Sequence, residues 1–214
     1  MRNFALIWDM DGTLVDSYPA IVPAARETLA DFGMALSEEE IRREVLDTSV
    51  GALLQRIARE RGWDPAPLQT AFQRRNDSRI GEIRPMPHAR DCVAALQQAG
   101  HRSFVYTHRG ASCPEILDHT GLRSFFSELV TALNGFPRKP APDGILYLME
   151  KYALDPAACF YVGDRRLDLE AAENAGVGCI FYAPPENPVS PAGRERFVVR
   201  DLLEIPALLR ELDS

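Results

Sequence analysis

Apolar residues along this chain fall into short blocks separated by longer amphipathic stretches. The blocks Phe4–Trp8, Ser103–Thr107, Leu129–Thr131, Phe160–Gly163, Gly178–Tyr182 and Phe197–Val199 have strand length and read as buried strands. Helical patterns lie between most of them. His88–Ala99 stops at Gly100, Leu167–Ala175 stops at Gly176, and Pro142–Tyr152 and Leu202–Leu212 also carry a helical repeat. Strands alternating with helices, with the strands apolar throughout, predict an α/β fold: a Rossmann-like, doubly wound parallel sheet covered on both faces.

The interval between the first two strands breaks that rhythm. From Asp16 to Arg84 the pattern is helical throughout. Ser17–Asp31 predicts one helix. Ser37 with Glu40 three residues on is a capping box that opens another, running to about Leu46. Val50–Arg61 predicts a third, stopped by Gly62. Asp64-Pro65 places an N-cap before a proline at the first helical position and opens a fourth, to about Ile80. One crossover helix needs far less chain than this. The expected organisation is a catalytic core of residues 1–15 and 84–214 with an inserted helical cap domain of residues 16–83. Tyr182–Arg196 is rich in proline and reads as a surface loop.

Composition narrows the classes. The chain has 214 residues, is 46% hydrophobic and carries a net charge of −7. A packed core is therefore expected, and a nucleic-acid partner is not, since that needs a basic surface. No apolar stretch reaches the roughly 18 residues of a membrane span, so no membrane partner is expected. The opening MRNFALIWDMDG reads as a strand of the mature protein rather than a leader. Cys92, Cys113, Cys159 and Cys179 lack metal-binding spacing and read as free thiols of a cytoplasmic protein. Of 24 basic residues only Lys139 and Lys151 are lysines. A lysine amid so many arginines marks a place where a compact point charge differs from a guanidinium fork.

In a doubly wound sheet, ligands bind beyond the carboxyl ends of the strands. The first strand ends on Asp9 and Asp11, the second on Thr107, and a later one on Gly163-Asp164 with Asp168 beyond. Acids crowded at one rim repel one another unless a cation offsets their charge, and hard oxygens suit Mg²⁺. The i,i+2 spacing puts Asp9 and Asp11 on one side of an extended chain. Gly12 permits a sharp turn, and Asp164 and Asp168 share one face as a helix begins. Asp-Gly also marks ordinary turns, Thr107 is a common strand residue, and an acid such as Asp168 suits any first helical turn.

These residues carry a resemblance. DMDGTLVDS resembles the first motif of the haloacid dehalogenase-like superfamily of phosphohydrolases. FVYTHRG with Thr107, RKPAPDGI with Lys139, and YVGDRRLDLEAAENAG with Asp164 and Asp168 resemble the other three, in order. The helical insert is similar to the cap of the subfamily that includes phosphoglycolate phosphatases and β-phosphoglucomutases. The resemblance implies that Asp9 attacks phosphorus and that Asp11 is the acid/base. It implies that Thr107 and Lys139 bind the phosphoryl oxygens. Mg²⁺ would sit on Asp9, Asp164 and the Asp11 backbone carbonyl, with Asp168 in support through water or by orienting Lys139. Gly12 and Thr13 would add backbone donors.

Other positions stay open. The family often has Asn after the threonine, so His108 is a departure. It would touch substrate or simply brace the loop, and Arg109 would meet an anionic substrate or lie solvated. In the insert, Arg43 and Thr48 are substrate-binding candidates, although Thr48 or Ser49 would equally cap the next helix.

The implied function is Mg²⁺-dependent hydrolysis of a small phosphorylated metabolite through an aspartyl-phosphate, by a monomer or weak homodimer. A β-phosphoglucomutase-like phosphomutase is the alternative within the family. From another class, a phosphate-accepting regulatory or binding protein would also use clustered Asp, Thr and Lys. The Asp9-Asp11-Gly12-Thr13 run and the large insert argue against a receiver module. Within the resemblance, Asp11 argues against dehalogenation, whose branch lacks that second acid, and the absence of lysine from residues 16–84 argues against phosphonate cleavage, which uses a cap lysine.

Overall fold

The computed structural model describes residues 3–185 and 189–213; Glu186–Pro188, within the expected proline-rich loop, and the terminal Met1, Arg2 and Ser214 lie outside the described residues. The chain divides into two compact units, one of residues 1–16 and 85–214, the other of residues 17–84.

The first unit is built on a parallel sheet. Its strands are β1 (Ala5–Trp8), β4 (Arg102–Tyr106), β5 (Phe126–Val130), β6 (Cys159–Gly163), β7 (Gly178–Tyr182) and β8 (Phe197–Val199). Their spatial order is β5-β4-β1-β6-β7-β8. A separate two-stranded sheet pairs β2 (Val15–Asp16) with β3 (Arg84–Pro85). β1 is central, with Trp8 level with Val105 on one side and Val162 on the other. All four of its residues are buried, as a strand covered on both faces must be.

Alternation sends β1 side chains to opposite faces. Ala5 and Ile7 join Phe104, Tyr106, Tyr161 and Phe181 in one core, closed by Ile145 and Leu148 of α7 (Asp143–Tyr152) and Leu169 and Ala172 of α8 (Arg166–Ala175). Each fully buried aliphatic or aromatic side chain contributes roughly 1.5–3 kcal/mol. The remaining helices are α5 (Ala89–Gln98), α6 (Ser112–His119) and α9 (Glu204–Leu212). α6 has no counterpart among the elements expected from sequence, and β5 starts at Phe126 rather than Leu129.

The second unit holds α1 (Tyr18–Asp31), α2 (Glu38–Asp47), α3 (Val50–Arg61) and α4 (Pro65–Asp77). Leu29, Ile41, Leu53, Leu54, Ile57 and Leu68 pack into its own core. Local signals set its helix ends. Ser37 Oγ accepts from the Glu40 N–H at 3.2 Å while Glu40 accepts from the Ser37 N–H at 2.8 Å. Asp64 caps α4 through the Ala66 N–H at 3.0 Å, and Gly62 ends α3 in the left-handed conformation. No helix among the described residues is long and apolar enough to cross a membrane.

Candidate active site

The parallel sheet brings several of the chemistry-bearing residues to one rim. Asp9 directly follows β1, and its N–H still donates to the Val162 carbonyl of β6 at 2.8 Å. Thr107 directly follows β4, with its N–H on the Val130 carbonyl at 3.0 Å. Asp164 directly follows β6, and Asp168 sits in the first turn of α8. Asp9, Thr107, Lys139, Asp164 and Asp168 are all buried.

Lys139 stands at the centre. Its Nζ donates to Asp9 Oδ1 at 2.7 Å, Asp168 Oδ1 at 2.6 Å and Tyr161 Oη at 2.8 Å. An ammonium has three N–H donors, and all three are directed inward. Burial pushes the Lys139 pKa down, but Asp168 and Asp9 outweigh it and the group stays above its ordinary value. Burial likewise pushes Asp9 up, and the Lys139 ammonium and Arg165 guanidinium overcome this to hold it below the usual carboxylate range. Arg165 lies 3.5 Å from Asp9 Oδ2. An ionised Asp9 is the form a nucleophile needs.

Asp164 and Asp168 behave oppositely. Burial raises Asp164 to about 8; Asp168 and Asp9 add to this, and the Thr13 hydroxyl, which donates to Asp164 Oδ1 at 2.9 Å, and Arg165 resist it. Burial also raises Asp168 despite its contact with Lys139. One carboxylate oxygen each from Asp9, Asp164 and Asp168 lie within 4.8 Å of one another. Buried carboxylates this close, two of them pushed toward neutrality, are a donor set that a hard divalent cation fits. Asp168 spends Oδ1 on Lys139 and Oδ2 on the Arg165 N–H at 3.1 Å.

Gly12 makes the crowding possible. Its φ is +87°, and a Cβ there would run into the Asp164 carboxylate. Val15 and Leu14 return N–H groups to the Met10 carbonyl at 3.0 and 2.9 Å, which closes the turn and buries Thr13.

Asp11 faces another cation. Arg109 Nη2 donates to Asp11 Oδ1 at 2.7 Å, and its Nε lies 3.0 and 3.1 Å from the two oxygens. The i,i+2 acids are thus drawn apart, Asp9 to Lys139 and Asp11 to Arg109. The Asp11 carboxylate is not part of the three-acid cluster. His108 Nε2 accepts the Lys139 backbone N–H at 2.7 Å. Burial, with Lys139, Arg138 and Arg165 nearby, lowers the His108 pKa to about 2, so the ring is a neutral acceptor joining the Thr107 loop to the Lys139 loop.

Arg43 and Thr48 belong to the helical unit and have partners within it. Arg43 pairs with Glu39 at 3.1 Å on an exposed face. Thr48 donates to the Glu44 carbonyl at 2.9 Å, and Ser49 caps α3 through the Ala52 N–H at 3.1 Å.

The haloacid dehalogenase-like hydrolase family model matches residues 6–182, most of the chain. The chain belongs to that family. Within it, the phosphoglycolate phosphatase of Cupriavidus necator, plasmid-borne, is 30% identical over 96% of this chain and 92% of its own length. A phosphoglycolate phosphatase of Vibrio parahaemolyticus is 28% identical over 94% of this chain and 93% of its own. The crystal structure of CbbY from Rhodobacter sphaeroides in complex with phosphate superposes with a TM-score of 0.80 at 24% identity, covering 95% of this chain and 96% of that one. The last likeness concerns fold. As a member of the haloacid dehalogenase-like family with these relatives, the chain is an enzyme of the phosphatase type.

Two residues of this buried cluster escape a motif reading. Tyr161 lies within the apolar strand β6, where it reads as core, yet its hydroxyl accepts from Lys139 and donates to the Tyr106 carbonyl at 2.9 Å. The one signal is that it carries the single hydroxyl of the otherwise nonpolar strand Cys159–Gly163, two residues before Gly163. Arg165 reads as a surface cation between two acids, and it approaches Asp9 instead.

Proposed function

We propose that this enzyme is a Mg²⁺-dependent phosphomonoesterase, phosphoglycolate phosphatase-like, acting on a small anionic phosphorylated metabolite through a phosphorylated Asp9. The observation that supports it most is Asp9 itself: a buried carboxylate held ionised at a strand end, 2.7 Å from an ammonium and clustered with Asp164.

Asp9 attacks phosphorus as the ester P–O bond breaks, and the leaving oxygen takes a proton from Asp11. Water then attacks the phosphoryl group on Asp9, gives its proton to Asp11 and restores the carboxylate. Thr107 and Lys139 supply donors to the phosphoryl oxygens, where charge is spread in the transition state. For that, a phosphoryl oxygen takes one of the places that Lys139 now gives to Asp9 or Asp168. Asp9 and Asp164 would hold Mg²⁺, with Asp168 in support through Lys139. The ion would offset the repulsion between an anionic nucleophile and an anionic ester. The helical unit, residues 17–84, is proposed as the cap that selects the substrate.

The test is release of inorganic phosphate from a panel of metabolite phosphates, including phosphoglycolate and hexose phosphates, with Mg²⁺ and with chelator. Turnover is expected with Mg²⁺ alone, and Asp9→Asn should abolish it while keeping the native circular dichroism. Turnover by Asp9→Asn, or in chelator, would refute the reading.

A further inference from the structure

Arg109 is held at both ends of its main chain. Its N–H donates to Thr107 Oγ1 at 3.1 Å, and its carbonyl accepts from the Ala132 N–H at 2.9 Å. Its side chain is only 7% exposed and grips Asp11, whose side chain is 21% exposed. A guanidinium fork imposes its own plane on the carboxylate it binds, which a point charge does not. The contacts are unequal: Oδ1 accepts at 2.7 and 3.0 Å, Oδ2 only at 3.1 Å. Oδ2 therefore keeps the larger free acceptor capacity, on the more open of the two family acids.

The geometry points to Arg109 as a positioning residue that aims Asp11 Oδ2 at the attacking water of the second half-reaction, instead of a residue that binds substrate. The inference rests on the reading that Asp9 becomes phosphorylated. In that half-reaction the water oxygen bonds to phosphorus as the bond from phosphorus to Asp9 breaks. The bonding pair returns to the Asp9 carboxylate, the water proton passes to Asp11, and phosphate leaves. Arg109 makes and breaks no covalent bond; it keeps the acceptor in line.

The test uses rapid mixing with p-nitrophenyl phosphate and Mg²⁺. Its leaving group departs without a proton, so phosphorylation of Asp9 does not depend on Asp11. Arg109→Ala should release one p-nitrophenolate per site in a burst. A steady phase should follow that is slower than wild type on the order of 10²-fold, the lower range for loss of an acid/base contribution. Phosphorylated protein should accumulate, seen by intact mass, with KM not raised. Arg109→Lys keeps the charge and loses the fork, and its steady phase should fall between the two. Slow turnover without burst or phosphoprotein overturns the inference. So does a raised KM with unchanged kcat, which is the pattern of a substrate-binding arginine. Should Arg109→Ala lack native circular dichroism, Arg109→Lys decides: wild-type kinetics there overturn it as well. Asp9→Asn run in parallel separates the two readings. Turnover by that variant removes the phosphorylated Asp9 and this inference with it; an inactive Asp9→Asn beside an unremarkable Arg109→Lys removes this inference alone.

Discussion

Lys139 donates to the phenol oxygen of Tyr161 at 2.8 Å, and Tyr161 passes its own hydroxyl hydrogen to the Tyr106 carbonyl at 2.9 Å. Both side chains are buried, so neither group has water to fall back on. Tyr161→Phe keeps the ring and its packing. It takes the acceptor from one ammonium N–H and that donor from one carbonyl. Leaving buried polar groups unmet costs about 1–3 kcal/mol. Urea denaturation should show that loss with an unchanged m-value; an unshifted midpoint would count against the role.

Lys139→Arg preserves charge in a pocket shaped for a compact ammonium. The Lys139 side chain has no exposed area, and its three acceptors converge on one nitrogen. A planar fork cannot reproduce that convergence, and its bulk strains the surroundings. Turnover should fall by about 10²-fold or more, as on loss of a transition-state donor. Steady-state kinetics on the best ester of the panel would check this, and near-normal kcat would reduce Lys139 to a source of bulk charge.

Gly12→Ala combines two penalties, whereas Gly33→Ala carries only one. Gly12 and Gly33 both have positive φ, +87° and +74°. A side chain there costs about 1–2 kcal/mol. Beyond Gly33 lies open space, but at Gly12 a new Cβ displaces the Asp164 carboxylate. Thermal melts should show a larger loss for Gly12→Ala. A Mg²⁺ titration of phosphate release should shift to higher Mg²⁺ concentration in that variant only.

The pH dependence of stability separates into windows. Asp164, raised to about 8 from 3.8, binds a proton in the folded chain that the unfolded chain releases, so its contribution falls as pH rises from about 4 to 8. His108, lowered to about 2 from 6.5, does the reverse: the unfolded chain takes the proton, and stability is lost as pH falls below about 6.5. The two oppose each other between about 4 and 6.5. Above that, Asp164 acts alone of the pair, so metal-free protein should melt lower at pH 8 than at pH 6.5. Mg²⁺ should flatten the slope by favouring ionised Asp164. Melting temperatures across that range, with Mg²⁺ and with chelator, would check the sign.

Much of the fold is written locally. Phe4–Trp8 is apolar at every position and becomes the buried central strand. Ser37 with Glu40, Asp64 with Pro65, and Gly62 place helix ends through bonds that span four residues or fewer. α6 had no such mark: it is eight residues long, contains Pro114 and has no side-chain bond at its N-cap. β5 begins early because Phe126 pairs with Ser103 of β4, a pairing with no local trace.

The site divides the same way. Asp9, Thr107 and Asp164 were legible because each ends an apolar strand, and Lys139 because lysine is otherwise so scarce. Their convergence was not legible in composition or period. Lys139 and Asp9 meet across 130 positions, and Arg109 and Asp11 across 98. Sequence alone determined most of the strands and helices and several of their ends, α6 and the start of β5 excepted, since periodicity and capping act within a few residues. Tertiary structure alone decided that Asp9 answers to Lys139 and Asp11 to Arg109, because the partner of a buried charge is set by how the crossovers pack.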